Sequence, residues 1–518
     1  MKKFLFQLLA VCAVLALTFK LFAKTGLAKS VPDSTSYEAI DAYIEQQMDR
    51  LNVPGAVLAI VEDDKIVHLR GFGQARPGGA VPSPQTPFIL GSTTKSFTAL
   101  AVMQLVEAGK IELDAPVQRY LPWFRVADPQ ASAQMTVRHL LNQTSGLSLL
   151  SGWIPLADFD DRPDASERQA RALSTLVLTR PVGSAFEYSN MNYNLLGLII
   201  EAASGESYEA YIENHIFAPL EMRHSYTTRA EAAQNGLAMG HRYWFAAPIA
   251  APDLPLPRGS LASGQLISSA EDMANYLIAQ LNEGRYGDVQ ILSPAGIAEL
   301  HRPAVAANFM GAPTGQYGMG WFIEDHGQTR IIFHNGTVPD FDTYMALLPE
   351  QKKGVMLLIN ADHFMMTPVF TEVGIGLSTL LAGESPAPIS FGAIPWVLRG
   401  LLLIPALQIV GVTLTLRRLR RWHQAPDSRP RGGRKWGRYI LLPLIPNLLV
   451  ALLLIPMLGA IRGFVWLFMP DVSWIALISG SFAALWIFVR TGLILWTLRS
   501  APFVGRFSAG RGSRLQTR

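Results

Sequence analysis

The chain has one cysteine among its 518 residues, Cys12. An intrachain disulfide is therefore excluded, and the fold must rest on its core. Charge is scarce too: Asp, Glu, Lys and Arg make up 16 % against 49 % apolar residues, which is low and high for a protein that meets only water. The ten histidines show no H-E-x-x-H or comparable ligand spacing, so no metal is expected. No glycine-rich phosphate loop stands between a strand and a helix, which argues against a nucleotide enzyme and leaves no cofactor expected. Internal repeats are lacking as well.

What charge there is lies unevenly. From Ser30 to Leu398 there are 22 Lys+Arg against 38 Asp+Glu; from Arg417 onward, 16 against 2. An acidic globule is followed by a basic, apolar region. The basic residues flank hydrophobic spans, so the sequence pI near 9.0 does not point to nucleic acid.

Both ends read as membrane-related. "MKKFLFQLLAVCAVLALTF" has a basic start and an apolar core, the pattern of a secretory signal over residues 1–28, with Ala23 or Ala28 ending possible cleavage motifs; an uncleaved anchor is the alternative. Val11 stands before Cys12 where a lipoprotein signal wants a small residue, so lipidation is not expected. Over residues 392–498, three stretches are long enough to cross a bilayer: Ile394–Leu416, Tyr439–Ile461 and Val472–Val489. The loop 417–438, "RRLRRWHQAPDSRPRGGRKWGR", carries nine basic residues and one acidic, which places it in the cytoplasm. Counting outward, the acidic domain and the loop Arg462–Asp471 lie outside, and the basic tail 499–518 lies inside. A multi-pass protein of the cell membrane with an extracytoplasmic domain is expected.

The acidic half, residues 35–385, has strands at both of its ends. "GAVLAIVEDDKIVHLRGFG" reads as a hairpin around Asp63–Asp64, and "GWFIEDHGQTRIIFHNG", "FDTYMALLPE" and "KKGVMLLIN" as three successive antiparallel strands. Residues 110–300 are mostly helical patterns, and a last helix is expected over about 365–382. The expected class is α/β (α+β): one antiparallel sheet flanked by helices, with an all-helical lobe beside it and a cleft between them.

Three short motifs occur in order. "GSTTKSF" at 91–97 sets Lys95 three places after Ser92, "YSN" stands at 188–190, and "HNGT" at 334–337 ends a strand. A serine at a helix start is by default a cap. A serine hydroxyl is also a poor nucleophile until a base takes its proton, and on a helix positions i and i+3 share a face. Lysine can be that base only if its pKa falls well below about 10.4. Tyr188 faces the same difficulty, and which of the two is the base is not legible. A helix N-terminus favours negative charge developing at Ser92.

With these motifs the chain resembles the serine β-lactamase and penicillin-binding-protein superfamily, and within it the class C β-lactamase-like serine hydrolases. The resemblance covers about residues 37–382 and extends to "GSTTKSFTALAVMQLVEAGKIELDAPVQRYLPWF", "MTVRHLLNQTSGL", "YSNMNYNLLGLIIEAASG", "ASGQLISSAEDMANYL" and "YGMGWF". It implies a β-lactamase/transpeptidase-like fold, acylation of Ser92, proton management by Lys95 and Tyr188, and a substrate held by the Asn190 amide. It also implies that His334, Gly336 and Thr337 line the substrate site, the Thr337 N–H joining that of Ser92 as an oxyanion hole.

The sequence departs from that pattern in three places. His334 stands where the β-lactamases proper carry lysine; histidine is charged only part of the time near neutrality, so efficient β-lactam hydrolysis is not implied. Phe333 replaces a usual glycine, and Gln143 a frequent histidine. Glu187, Asp340 and Asp342, beside the motifs, read as solvated loop charge. The expected function is a membrane-tethered serine hydrolase that forms an acyl-enzyme on amide or ester bonds. Small-molecule or cell-wall substrates and the lipid bilayer are its expected partners. The alternative is a penicillin-binding sensor or membrane scaffold with an acylatable serine. The oligomeric state is not legible.

Overall fold

The structure, a computed structural model, describes residues 36–251, 254–309, 312–390, 392–429, 437–459 and 462–499. The expected signal or anchor over 1–28, Cys12, part of the basic loop and the tail beyond 499 lie outside the described residues. Those described fall into two units: 36–401 together with 459–473, and 402–458 together with 474–499.

The larger unit is built on an eight-stranded sheet. Its strands are β1 (Gly55–Glu62), β2 (Lys65–Gly73), β3 (Val305–Phe309), β4 (Ala312–Tyr317), β5 (Phe322–His326), β6 (Thr329–Val338), β7 (Phe341–Leu348) and β8 (Lys353–Ile359). The order across the sheet is β2-β1-β8-β7-β6-β5-β4-β3, antiparallel throughout. The N-terminal hairpin thus joins the C-terminal meander through Ala56↔Ile359 to Glu62↔Lys353. The stretch read as one strand in "GWFIEDHGQTRIIFHNG" is two, β5 and β6, turning at Gly327–Gln328. Helix α1 (Tyr37–Leu51) packs with the last helix of the unit, α5 (Thr367–Leu381).

Most of the chain between the two strand sets is helical. Helix α2 (Thr94–Glu107) has its first ten residues buried, and α3 (Asn190–Ser204) its first eleven. A helix apolar around most of its circumference belongs in a core, not on a surface, and α2 packs against α3. Phe97 of α2 stacks on Tyr276 of α4 (Ala270–Leu281) with ring centroids 3.9 Å apart. That packing fixes the start of α2, and with it Ser92 and Lys95.

Four described helices are long and apolar enough to cross a membrane: Phe364–Leu381, Ile394–Gln424, Gly437–Met457 and Pro470–Arg499. The first is over half buried and holds α5, which packs on β7. Ile394–Gln424 and Pro470–Arg499 contain the expected stretches Ile394–Leu416 and Val472–Val489 and run further, the former into the basic residues Arg417–Arg421, whereas Gly437–Met457 covers the expected Tyr439–Ile461 only as far as Met457. Within the smaller unit, Arg490 is buried and donates to the carbonyl oxygens of Tyr439 (2.7 Å) and Ile440 (3.4 Å) and to Thr415 Oγ1 (3.3 Å). A buried guanidinium has to be satisfied in this way.

Candidate active site

Ser92 lies in a single 3-10 turn, Gly91–Thr93, that leads directly into α2, and no side chain caps that turn. The capping role is therefore not the one it plays. One helical turn on, Lys95 is fully buried, with Nζ 3.0 Å from Ser92 Oγ. The same nitrogen donates to Asn190 Oδ1 at 2.8 Å and to the Ser263 carbonyl at 2.6 Å. It also sits 4.9 Å from the centre of the Tyr188 ring and 5.6 Å from that of Tyr193. The Tyr188 phenol is in hydrogen-bond contact with Ser92. Three segments, at 92–95, 188–190 and 263, thus converge on one amine.

Burial pushes the Lys95 pKa well below its ordinary 10.5. It pushes Tyr188 well above 10.0, with Tyr317 adding to the rise and the Ser92 hydrogen bond opposing it. Desolvation disfavours the charged form of each, which favours the amine and the phenol. A neutral amine has two hydrogens and one lone pair. Two of the neighbours of Lys95, the Asn190 and Ser263 oxygens, only accept, which leaves the lone pair to face the Ser92 hydroxyl.

The oxyanion side is equally local. Pairing of β6 with β5 runs from His326↔Thr329 to Phe322↔Phe333, so beyond Phe333 that edge of β6 is left to meet the Ser92 turn. Contact there is so close that a Cβ on Gly91 would lie 2.7 Å from the Thr337 nitrogen, and one on Gly336 2.0 Å from the Leu90 oxygen. Gly91 also has φ +59°, which glycine alone adopts freely. The Thr337 backbone N–H therefore lies beside the Ser92 turn. Thr337 Oγ1 donates to Asp342 Oδ2 at 3.1 Å.

His334 is 1 % exposed, and its Nδ1 donates to the Asn335 carbonyl at 2.6 Å. Burial, with Lys95 adding, lowers its pKa to about 3. It is therefore neutral across the physiological range, and no cation stands at the position where a β-lactamase lysine would. Ser92, Tyr188, Asn335 and Thr337 keep partial exposure, whereas Lys95, Asn190 and His334 are buried. Asn190 is engaged at both ends of its amide, Nδ2 donating to the Gly152 carbonyl at 3.3 Å, so it positions Lys95.

Two of the acidic neighbours are not solvated loop charge. Asp340 is buried against Arg242 at 2.7 Å, and Asp342 is buried on β7, where burial raises its pKa well above 3.8. Their burial follows from the β6–β7 turn folding back against the body of the unit. Glu187, partly exposed, accepts from the Leu149 and Thr179 donors. Two further residues support the site: Gln143, which the sequence marked only as a departure from a frequent histidine, and Ser263, which it did not single out. Gln143, at φ +57°, accepts from the Ser189 N–H at 2.9 Å and from the Asn192 amide, which orders the start of α3. Ser263 contributes a backbone oxygen, for which the only signal was its place in the "ASGQL" block.

Comparison with known proteins gives the family of the larger unit. The family model described as Beta-lactamase matches residues 40–373. "Protein flp" of Staphylococcus aureus (strain MW2) is 29 % identical over 330 residues, covering 63 % of each chain. "Penicillin-binding protein 4" of Amycolatopsis lactamdurans is 30 % identical over 354 residues, 66 % of this chain and 90 % of the other. The octameric penicillin-binding protein homologue from Pyrococcus abyssi superposes with a TM-score of 0.60 at 29 % identity, covering 68 % of this chain and 79 % of the other. The chain spans 63 % of the length of the flp proteins.

Proposed function

The chain belongs to the beta-lactamase family, within the serine β-lactamase and penicillin-binding-protein superfamily, and from that premise we propose that it is a membrane-tethered, extracytoplasmic serine hydrolase. Ser92 Oγ attacks the carbonyl carbon of an amide or ester while the Lys95 amine takes its proton. The N–H groups of Ser92 and Thr337 receive the developing oxyanion. The C–N or C–O bond then breaks, the leaving group takes a proton relayed through Lys95 and Tyr188, and water later frees the acyl group from Ser92. General-base assistance of this kind supplies about 10²–10⁴-fold, and one oxyanion donor about 10²–10³-fold.

The observation that carries the reading is the 3.0 Å approach of a buried lysine nitrogen to a partly exposed serine hydroxyl. Neutral His334 gives a substrate carboxylate no cationic partner at that position, which favours acyl groups without a free carboxylate: short acyl esters and D-alanyl esters of envelope polymers. The basic loop supports the outward placement of this unit.

The test offers the purified full chain a chromogenic cephalosporin, a D-Ala-D-Ala peptide and short-chain p-nitrophenyl esters side by side. At least one is expected to turn over, with Ser92→Ala lowering the rate by about 10³-fold or more. Hydrolysis and β-lactam labelling that survive Ser92→Ala intact would overturn the proposal. A penicilloyl adduct at Ser92 that persists would move it to the sensor reading.

A further inference from the structure

The segment Arg462–Ser473, made of a short helix (Arg462–Phe468) and the first residues of the apolar helix Pro470–Arg499, is part of the larger unit. Its Phe464 is buried and stacks on Trp153, centroids 4.3 Å apart and planes within 6°. The same ring meets Phe364 edge-on at 5.0 Å, and Trp153 meets Phe364 edge-on at 5.2 Å. Asp471 completes the attachment. It is fully buried and accepts from His363 Nε2 at 2.9 Å, from the Phe245 N–H at 2.8 Å and from the Val472 N–H at 2.7 Å. His363 Nδ1 accepts from the Met365 N–H at 3.2 Å, so the proton is on Nε2, where Asp471 receives it. Asp471 is the last acidic residue of the chain and stands among apolar ones. A buried carboxylate with three donors is a built contact; a simple connecting loop would leave it in water.

What this segment touches matters more than that it is held. Trp153 follows Gly152, whose carbonyl accepts from Asn190, and Asn190 in turn receives a hydrogen bond from Lys95. Phe364 and His363 precede Thr367, whose hydroxyl lies 3.3 Å from that of Thr337. One short segment therefore grips the residues behind the amine side and the residues behind the oxyanion side of the same cleft.

We propose that Arg462–Ser473 is a positioning strap for acylation at Ser92, with Phe464 and Asp471 as positioning residues that set the spacing between the Asn190 rim and the Thr337 rim. This rests on the serine-hydrolase reading for its chemical consequence, but not for its physical one. The strap touches no reacting atom, so its effect is on alignment, to which acyl transfer is steeply sensitive; displacements near 1 Å cost about 10²-fold.

The test uses the full chain in detergent micelles. Phe464→Ala and Asp471→Ala are expected to slow labelling of Ser92 by a fluorescent penicillin or an activated ester about ten- to a hundredfold, with saturation constants little changed. Phe464→Tyr, which keeps the stack, should restore the rate. Trp153→Ala combined with Phe464→Ala should slow labelling by less than the product of the two single effects, because the two rings share one stacked contact. Hydrogen exchange supplies a readout independent of chemistry: Phe464→Ala should raise exchange at 148–153 and 188–192 and also at 363–371. Unchanged labelling in both alanine variants, or exchange rising at one rim only, would overturn the strap. Absence of Ser92 labelling in the unsubstituted chain would instead sink the hydrolase reading, and the exchange result would still decide the strap. Should Asp471→Ala fail to fold, Phe464→Ala and Phe464→Tyr carry the comparison.

Discussion

At the scale of residues, the site depends on a lysine that folding has made unlike ordinary lysines. With its pKa held well below 10.5 by burial, Lys95 loses its lone pair only when acid protonates it. Acylation should therefore rise with pH through the Lys95 pKa to a plateau and fall away below it. His334, at about 3, does not titrate in that window, so His334→Asn should keep the same ascending limb in a pH–rate profile of Ser92 labelling. Lys95→Met should abolish the limb and lower the rate about 10²–10⁴-fold, while the melting temperature falls because Asn190 Oδ1 and the Ser263 carbonyl lose a buried donor. Ser92 and Lys95 were legible because i and i+3 on a helix need only local geometry. The Asn190 contact joins residues 95 apart and came from resemblance. The Ser263 oxygen is a backbone atom that every residue has, so no side-chain signal marks it.

At the scale of elements, the meeting of the Ser92 turn with β6 is the least tolerant contact described. Gly91→Ala would set a methyl carbon 2.7 Å from the Thr337 nitrogen at φ +59°, a strain on the order of 1–3 kcal/mol. The turn or the strand must shift. Slower Ser92 labelling, by more than tenfold, with a melting temperature lower by several degrees, is the expected result in paired kinetic and thermal measurements; labelling at the unsubstituted rate would show that the contact does not shape the site. The strands themselves were readable from alternation and turn residues. What was merged was β5 with β6, because Gly327 and Gln328 interrupt the apolar pattern only briefly. Asp342 was misread for a related reason: an acidic residue just past a turn looks solvated unless the register of β7 is known, and register is a property of two strands together.

At the scale of the whole molecule, the division into an acidic unit and basic, apolar helices was plain from composition, since charge and hydropathy are additive along a chain. The inclusion of residues 459–473 in the larger unit was not, because it rests on Asp471 finding His363, 108 positions away. The proposed topology can be checked with reporter fusions. A periplasmic-type phosphatase joined after residue 388 should be active and one joined within 425–435 silent, whereas the reverse pattern would invert the orientation.

The position of the N-terminal hairpin has its own consequence for biogenesis. Strand β1 leaves the ribosome early, but its inner neighbour β8 is made only after the entire helical lobe and the rest of the meander have followed. At about 5–20 residues per second, the edge Ala56–Glu62 waits on the order of tens of seconds with its backbone groups unpaired. An apolar strand edge exposed for that long invites pairing with other chains, so the newborn polypeptide has reason to depend on a holding chaperone until Ile359 has been added.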